Sequence, residues 1–453
     1  MATVRHGKKA CTVNPLKMSQ PVGGALAFMG LASTMPILHG SQGCTAFGMV
    51  LFVRHFKESI PLQTTAMSEV ATVLGGFDNI EQAVMNIYTK SRPEIIGMCS
   101  TGLTETKGDD VEGYLTLTRK RHPELADTSL IYVSTPDFKG AFQDGWAATV
   151  KRILEVLVEP AAPVKEPRKV AVLPGCHLTV ADIEELRETL EDFGLDPVFV
   201  PDLSGSLDGH VPEDFSPTTI GGTTRADIRA LGSAGLVLAL GEQMRPAAEW
   251  LGSHIHAPVR VFDRLLGLGV NDAFMAFLAE YSGQPVPLKY RRQRSQLVDA
   301  MLDGHFYTGG SRLAIGAEPD LLHNVAHFLS ELGFEIAAAV TTTDSPLLAD
   351  LPCAEVLIGD LEDLEAQAKD CDLLITHAHG RQMAARLHLP FLRMGLPIFD
   401  RLGAAHRLAV GYRGSRDLIF EVANLLIANG HEPEPDEWRQ THAPEASAAI
   451  AIA

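Results

Sequence analysis

Short β-branched runs alternate with longer helix-patterned segments along nearly the whole of this chain, and that alternation leaves little choice of architecture. PEIIGMCST and SLIYVSTP read as strands in the first third; KVAVLPG, DPVFVPD, AGLVLALG and PVRVFD follow in the middle. SRLAIGAEP, FEIAAAVTT, EVLIGD and CDLLITH complete the set. Between them, apolar residues recur at helical spacing from about Asp109 to Lys120, Asp144 to Leu157, Thr179 to Phe193 and Asp320 to Leu332. Strands separated by helices pair in parallel, so the expected class is α/β, built from βαβ units. A chain of 453 residues also exceeds what one core can hold. The proline-rich, charge-alternating EPAAPVKEPRK reads as a linker, and the pattern restarts near Tyr290. The expectation is three Rossmann-like units, residues 1–163, 164–290 and 291–453.

Composition removes several function classes. The formal net charge of −18 repels a phosphate backbone over most of the surface. The one basic cluster, RRQR at Arg291–Arg294, reads as the solvated face of a helix. Six cysteines scattered at Cys11, Cys44, Cys99, Cys176, Cys353 and Cys371 are too few and too irregular for a disulfide framework. A reducing cytoplasm is the matching expectation. The basic N-terminal residues are not followed directly by an apolar segment, so no secretory leader is expected. Val22–Leu38 is apolar but broken by glycines, a proline and a Ser-Thr pair; it reads as a buried helix and turn. The Pro/Glu/Ala-rich tail after about residue 430 is expected outside the packed core.

Parallel sheets bind ligands beyond the carboxyl ends of their strands, so those loops are where chemistry is sought. No G-x-G-x-x-G follows a strand; GLGVND at Gly267–Asp272 lacks the third glycine, and no Walker-type loop is present. A nucleotide enzyme is therefore disfavoured. The loop HGSQGC, His39–Cys44, is more promising. Gly40 and Gly43 allow a tight turn and a close approach to a bulky object. If AFGMVLFVRHF is helical, Cys44 stands at or just before its N-terminus, where free N–H groups favour a thiolate. The alternative is a small buried filler, and the turn leaves the two readings level. An iron–sulfur cluster needs about four protein ligands. Cys99 ends a strand and can approach Cys44, whereas Cys176, Cys353 and Cys371 belong to other units. If Cys44 binds a cluster, most ligands come from another polypeptide and the site is a subunit interface.

THAHGR at Thr376–Arg381 is the rival. His377 and His379 at a strand end, with His388 beyond, suggest a zinc or iron hydrolase. The flanking sequence offers no further ligands at a recognisable spacing, which favours solvated or helix-capping histidines. Asp109 and Asp110 invite a magnesium reading, but their place before a helix favours capping. GAEPD at Gly316–Asp320 reads as a strand-to-helix turn with an acidic first turn.

The stretches SQPVGGALAFMGLASTMPILHGSQGCTAF, RHFKESIPLQTTAMSE, STGLTETKGDD and MGLPIFDRLGAAHRLAVGYRGS resemble the nitrogenase component 1 family, and the similarity runs to about residue 430. HGSQGC and GLPIFDR are its most specific motifs. The resemblance implies three Rossmann-like domains. Its nearest branch is a β-subunit-like half of the scaffold on which the iron–molybdenum cofactor is assembled and matured. It further implies a NifE-type partner subunit in an α2β2 heterotetramer, and a 4Fe-4S cluster shared across the interface, with three ligands from the partner and Cys44 from this chain. A precursor of the iron–molybdenum cofactor would be held by the complex, mainly in the partner, and the ATP-dependent nitrogenase iron protein would dock transiently over the interface. The family's catalytic β subunit carries three cysteines for its eight-iron P-cluster. Here only Cys44 remains, the other two positions reading Ser19 (in Ser19-Gln20-Pro21) and Gly102 (in Ser100-Thr101-Gly102). That departure favours a scaffold over the alternative, a catalytic subunit of a nitrogenase-like reductase. A purely structural subunit with Cys44 as core filler is the remaining rival.

Overall fold

The computed structural model describes residues 1–7, 9, 12 and 14–430. Its strands, in chain order, are β1 (Thr3–His6), β2 (Thr34–His39), β3 (Gln63–Thr64), β4 (Ile95–Ser100), β5 (Ser129–Val133), β6 (Glu166–Pro174) and β7 (Asp196–Phe199). They continue with β8 (Ala234–Leu240), β9 (Val259–Phe262), β10 (Arg312–Ala317), β11 (Glu335–Thr341), β12 (Glu355–Ile358), β13 (Leu373–Thr376) and β14 (Phe391–Arg393). They form three parallel sheets, ordered β3-β2-β4-β5, β7-β6-β8-β9 and β1-β12-β11-β10-β13-β14. The α/β class expected from the alternation is what the chain adopts. Central strands are buried on both faces, with every residue of β2 and β4 inaccessible, which explains why they read as continuous apolar runs.

Four strands lie outside the sequence reading: the short β3 and β14, and two that are more instructive. Val22–Leu38 was expected as helix and turn, yet only Gln20–Met29 is helical and Thr34–His39 is the strand β2. Pro36 hides it, because proline removes a ladder donor and argues against a central strand. β3 pairs with β2 only at Ile37 and Leu38, so the sheet has no neighbour on that side at Pro36. The second departure is β1. Thr3–His6 pairs with β12 in the third sheet rather than joining the unit expected from residue 1. TVRH is an edge strand, largely exposed, and carries no apolar pattern to announce it.

The first unit is fastened by glycine. Helices Gln20–Met29 and Phe142–Leu157 touch backbone to backbone; a Cβ on Gly145 would lie 2.0 Å from the Gln20 carbonyl oxygen. Trp146, fully buried, donates from Nε1 to the Pro174 carbonyl at 3.0 Å and so ties this helix to the end of β6. The cluster RRQR lies on the Leu288–Thr308 helix, where Arg294 pairs with Asp272 at 2.7 Å at the surface, as a solvated face should. No described helix is long and apolar enough to cross a membrane. The tail after residue 430 and Cys11 lie outside the described residues.

Candidate functional site

β2 and β4 run side by side, with His39 opposite Ser100, so the loops that follow them meet at the carboxyl rim of the first sheet. The meeting is close. Thr101 and Thr104 each donate from Oγ1 to the His39 carbonyl at 3.0 Å. A Cβ on Gly40 would lie 2.3 Å from Thr101 Oγ1, so only glycine lets the two loops approach this far. Beneath them His39 is buried, its Nδ1 2.9 Å from Thr65 Oγ1 and its Nε2 3.5 Å from Asp109 Oδ2. Burial lowers its pKa to about 4 despite the nearby carboxylate. The expected capping role divides between the two acids. Asp110 caps the Val111–Arg121 helix, accepting from the Gly113 N–H at 3.0 Å. Asp109 does not cap; it is buried and paired with Lys107 at 3.0 Å.

The helix after β2 runs Gln42–Phe56 with Ser41 at its N-cap, so Cys44 stands in its first turn. Cys44 is exposed, and its Sγ lies 3.4 Å from Ser41 Oγ. The other described cysteines differ. Cys99 is buried and its thiol is pushed up to about 12 by burial. Burial also raises Cys371, to about 11, and raises Cys353 and Cys176. Burial that raises a thiol's pKa disfavours the thiolate, the form that binds metal. Among the described cysteines Cys44 is the exposed one; Cys176 and Cys353 are half-buried, Cys99 and Cys371 buried.

Ser19 and Gly102, the positions without thiols, belong to the same rim. Ser19 is the N-cap of the Gln20–Met29 helix, and Gln20 Nε2 donates to the Lys139 carbonyl at 2.5 Å in the loop after β5. Gly102 opens the Gly102–Lys107 helix and donates its N–H to Asp137 Oδ2 of that same loop at 2.9 Å. Gly102 is not among the glycines with a left-handed φ. Sequence reasoning assigned no role to Glu105, yet its carboxylate gathers Ser100 Oγ, Ser134 Oγ at 2.6 Å and Tyr132 OH at 3.4 Å. It locks the loops after β4 and β5 together. Lys107, Asp109 and Asp110 follow it in the same stretch, so nothing local in the sequence set Glu105 apart.

The surface around Cys44 is apolar. Phe47, 63% exposed, and Val50, 51% exposed, share one face of the helix with Val53, while Thr45, Gly48, Leu51 and Phe52 are buried opposite. Leu103 is exposed on the neighbouring loop helix, as are Val70 and Val73 on Glu69–Leu74, which Lys107 Nζ holds by donating to the Ala71 carbonyl at 3.1 Å. At the other end of the cysteine helix, His55 Nδ1 accepts from the Ile398 N–H at 2.9 Å, and Arg54 lies 4.2 Å over the Phe399 ring. The fold thus brings GLPIFDR against the helix that follows HGSQGC.

The histidines of THAHGR are placed quite differently. His377 is buried, its Nε2 2.9 Å from the Leu16 carbonyl and its Nδ1 accepting from the His379 N–H at 3.3 Å. Both ring nitrogens are spent on backbone, and burial lowers its pKa to about 4. His379 sits beside Phe399, with Arg381 and Arg54 contributing positive charge that a cation would have to oppose. His388 is exposed and ends the Arg381–Leu387 helix. These residues build a turn, not a hydrolase centre.

Residues 19–427 match the family described as Nitrogenase component 1 type Oxidoreductase. The chain is 62% identical over 448 residues to the nitrogenase iron-molybdenum cofactor biosynthesis protein NifN of Bradyrhizobium diazoefficiens, covering 97% of this chain and 96% of that one. It is 51% identical over 427 residues to the protein of the same name from a Nostoc species, covering 94% and 96%. Among solved structures it is similar to a chain of nitrogenase Cp1 at pH 6.5, with a TM-score of 0.88 and 32% identity over 93% of this chain and 94% of that one.

Proposed function

This chain belongs to the nitrogenase component 1 type oxidoreductase family, and from that premise we propose that it is a scaffold subunit for assembly and maturation of the nitrogenase iron–molybdenum cofactor. Similarity to the NifN proteins supports this, their printed names stating biosynthesis of that cofactor. The observation that carries the site is the placement of Cys44: an exposed thiol in a helix's first turn, with Phe47 and Val50 exposed further along the same helix and Leu103 exposed on the helix after β4. A cluster wants about four thiolate-type ligands. One exposed thiol supplies a quarter of that set, so the donor chemistry fits a group shared with another chain and does not fit one owned by this chain. Cys44 is therefore the residue that would hold a 4Fe-4S cluster from this side, the remaining ligands coming from a NifE-type partner in an α2β2 heterotetramer. When bound, the cluster supplies one-electron transfer.

This chain's own residues prepare that contact. Gly40 and the threonine pair on the His39 carbonyl fix the loop ahead of the helix. The apolar face around Cys44 excludes water once covered, which is what a partner surface of matching chemistry would do. The cofactor precursor is held mainly by the partner, and the ATP-dependent iron protein docks over the same interface, in the cytoplasm. A catalytic subunit of a nitrogenase-like reductase is less well supported, because Ser19 and Gly102 stand at the same rim without thiols, and serine and glycine are poor or absent ligands for iron–sulfur chemistry.

Anaerobic co-expression with the partner tests the reading. The complex should contain cluster iron and the isolated chain none. Cys44→Ala should lower the iron content or weaken the cluster's EPR signal, while Cys176→Ala and Cys353→Ala leave both unchanged. Unchanged iron and EPR in the Cys44→Ala complex would sink the ligand assignment.

A further inference from the structure

The Pro319–Glu331 helix carries His323 and His327 one turn apart, so both imidazoles emerge from the same face. Across from them stands Asp350, the last residue of the Pro346–Asp350 turn that follows β11. Its Oδ2 lies 3.5 Å from His323 Nε2 and 3.4 Å from His327 Nε2. The two rings are 4.5 Å apart between centroids and splayed by 65°. One carboxylate oxygen therefore faces both ring nitrogens between helix and turn, and one ligand atom from each of the three residues lies within 4.8 Å of the others.

These separations are too long for good N–H···O hydrogen bonds, which centre near 2.9–3.0 Å. His327 Nε2 is buried with no hydrogen-bond partner among the described residues, and His323, 1% exposed, has an unpartnered Nδ1. The same separations suit a different object. Metal–ligand bonds of about 2.0–2.1 Å place neighbouring ligands of a tetrahedron about 3.3–3.4 Å apart. We propose that His323, His327 and Asp350 form a binding site for a divalent transition cation of the zinc class, with water completing the coordination.

The donor set selects the cation. Two imidazoles and one carboxylate suit zinc and its neighbours, whereas magnesium and calcium demand oxygen ligands. No thiolate is present, so the site is not a second iron–sulfur position. Asp350 has a side chain 74% exposed, which leaves the site open to metal in solution. Asp263 and Arg264 of the loop after β9 both act on these histidines, the aspartate favouring a cation and the arginine opposing it. Asn324, one residue beyond His323, donates from Nδ2 to the Asp263 carbonyl and accepts from the Leu265 N–H, each at 3.1 Å. A bound ion would thus clip the turn after β11 to a helix already anchored on the second sheet. This site is independent of the cluster reading.

The test uses the full chain, stripped with chelator and then equilibrated with micromolar zinc or with cobalt(II). The expected result is one equivalent of retained zinc, a raised Tm, and visible cobalt bands of tetrahedral intensity. Asp350→Ala, at an exposed position that should not disturb folding, and His327→Ala should each weaken zinc binding by at least about tenfold. Cys44→Ala should retain the full equivalent. Absence of stoichiometric zinc in the folded wild-type chain would overturn the site. So would equal retention by both variants, which would mark the metal as bound elsewhere.

Discussion

The loop after β2 and the loop after β13 start from the same place in similar units, and each carries a residue type fit to bind metal. They use it in opposite ways. After β2, Cys44 clears the rim and shows its sulfur to solvent among exposed apolar side chains. After β13, His377 turns inward and spends one nitrogen on the Leu16 carbonyl and the other on the His379 N–H. The difference teaches that a ligand-type residue at a strand end becomes a site only when its donor atom is not already satisfied by its own fold. Local sequence does not report that; the surroundings of the side chain do.

The comparison can be attacked first at the surface around Cys44. Phe47→Glu with Val50→Glu should weaken association with the partner by roughly a hundredfold or more, as charges buried in an interface core do. Its isolated-chain stability should stay within about 0.5 kcal/mol of wild type, because both side chains are already in water. Size-exclusion binding and thermal melts read the two effects, and an unweakened complex would remove the interface from this face. The inward-turned loop should behave in reverse. His377→Ala leaves a buried carbonyl and N–H unpaired, at a cost of about 1–3 kcal/mol, measurable by denaturant melts. The His377→Ala, His379→Ala pair should leave the metal content of the complex unchanged, and a lost equivalent would revive the hydrolase reading.

A smaller effect comes from the floor of the third sheet. GAEPD is a strand-to-helix turn, as expected, but Glu318 and Asp320 are not a solvated acidic turn. Burial raises Glu318 to about 8 and Asp320 to about 7. A carboxyl whose folded pKa is raised stabilises the fold below its unfolded pKa, and that stability is lost as pH climbs through the folded value. The buried histidines, including His39 and His377 at about 4, act with the opposite sign and only below their unfolded value of 6.5. Between pH 6.5 and about 8 the acids therefore act without them, and Tm should fall. Glu318→Gln should flatten that decline; an unchanged slope would show that Glu318 is ionised in the folded chain.

Most strands were legible because burial on both faces writes them as unbroken apolar runs. β2 was not, since Pro36 reads as a breaker unless the short reach of β3 is known. β1 was not, because an exposed edge strand has no pattern to read. At the site, the glycines of HGSQGC announced Cys44, although only Gly40 belongs to the turn and Gly43 lies inside the helix. The outward face of Phe47 and Val50 was silent, because an apolar helix reads alike whether its own core or a partner covers it. Glu105 was hidden by the distance in sequence between the loops it joins. His323 and His327 were detectable, since two histidines four apart on a helix share a face.

Thiol footprinting tests the central claim most directly. The isolated chain and the anaerobically assembled complex are alkylated without denaturation, and each cysteine is scored by mass spectrometry. Cys44 should label readily in the isolated chain, resist labelling in the iron-loaded complex, and label again once iron is chelated, while Cys99 stays unlabelled throughout. Equal labelling of Cys44 in the isolated chain and in the iron-loaded complex would contradict the account.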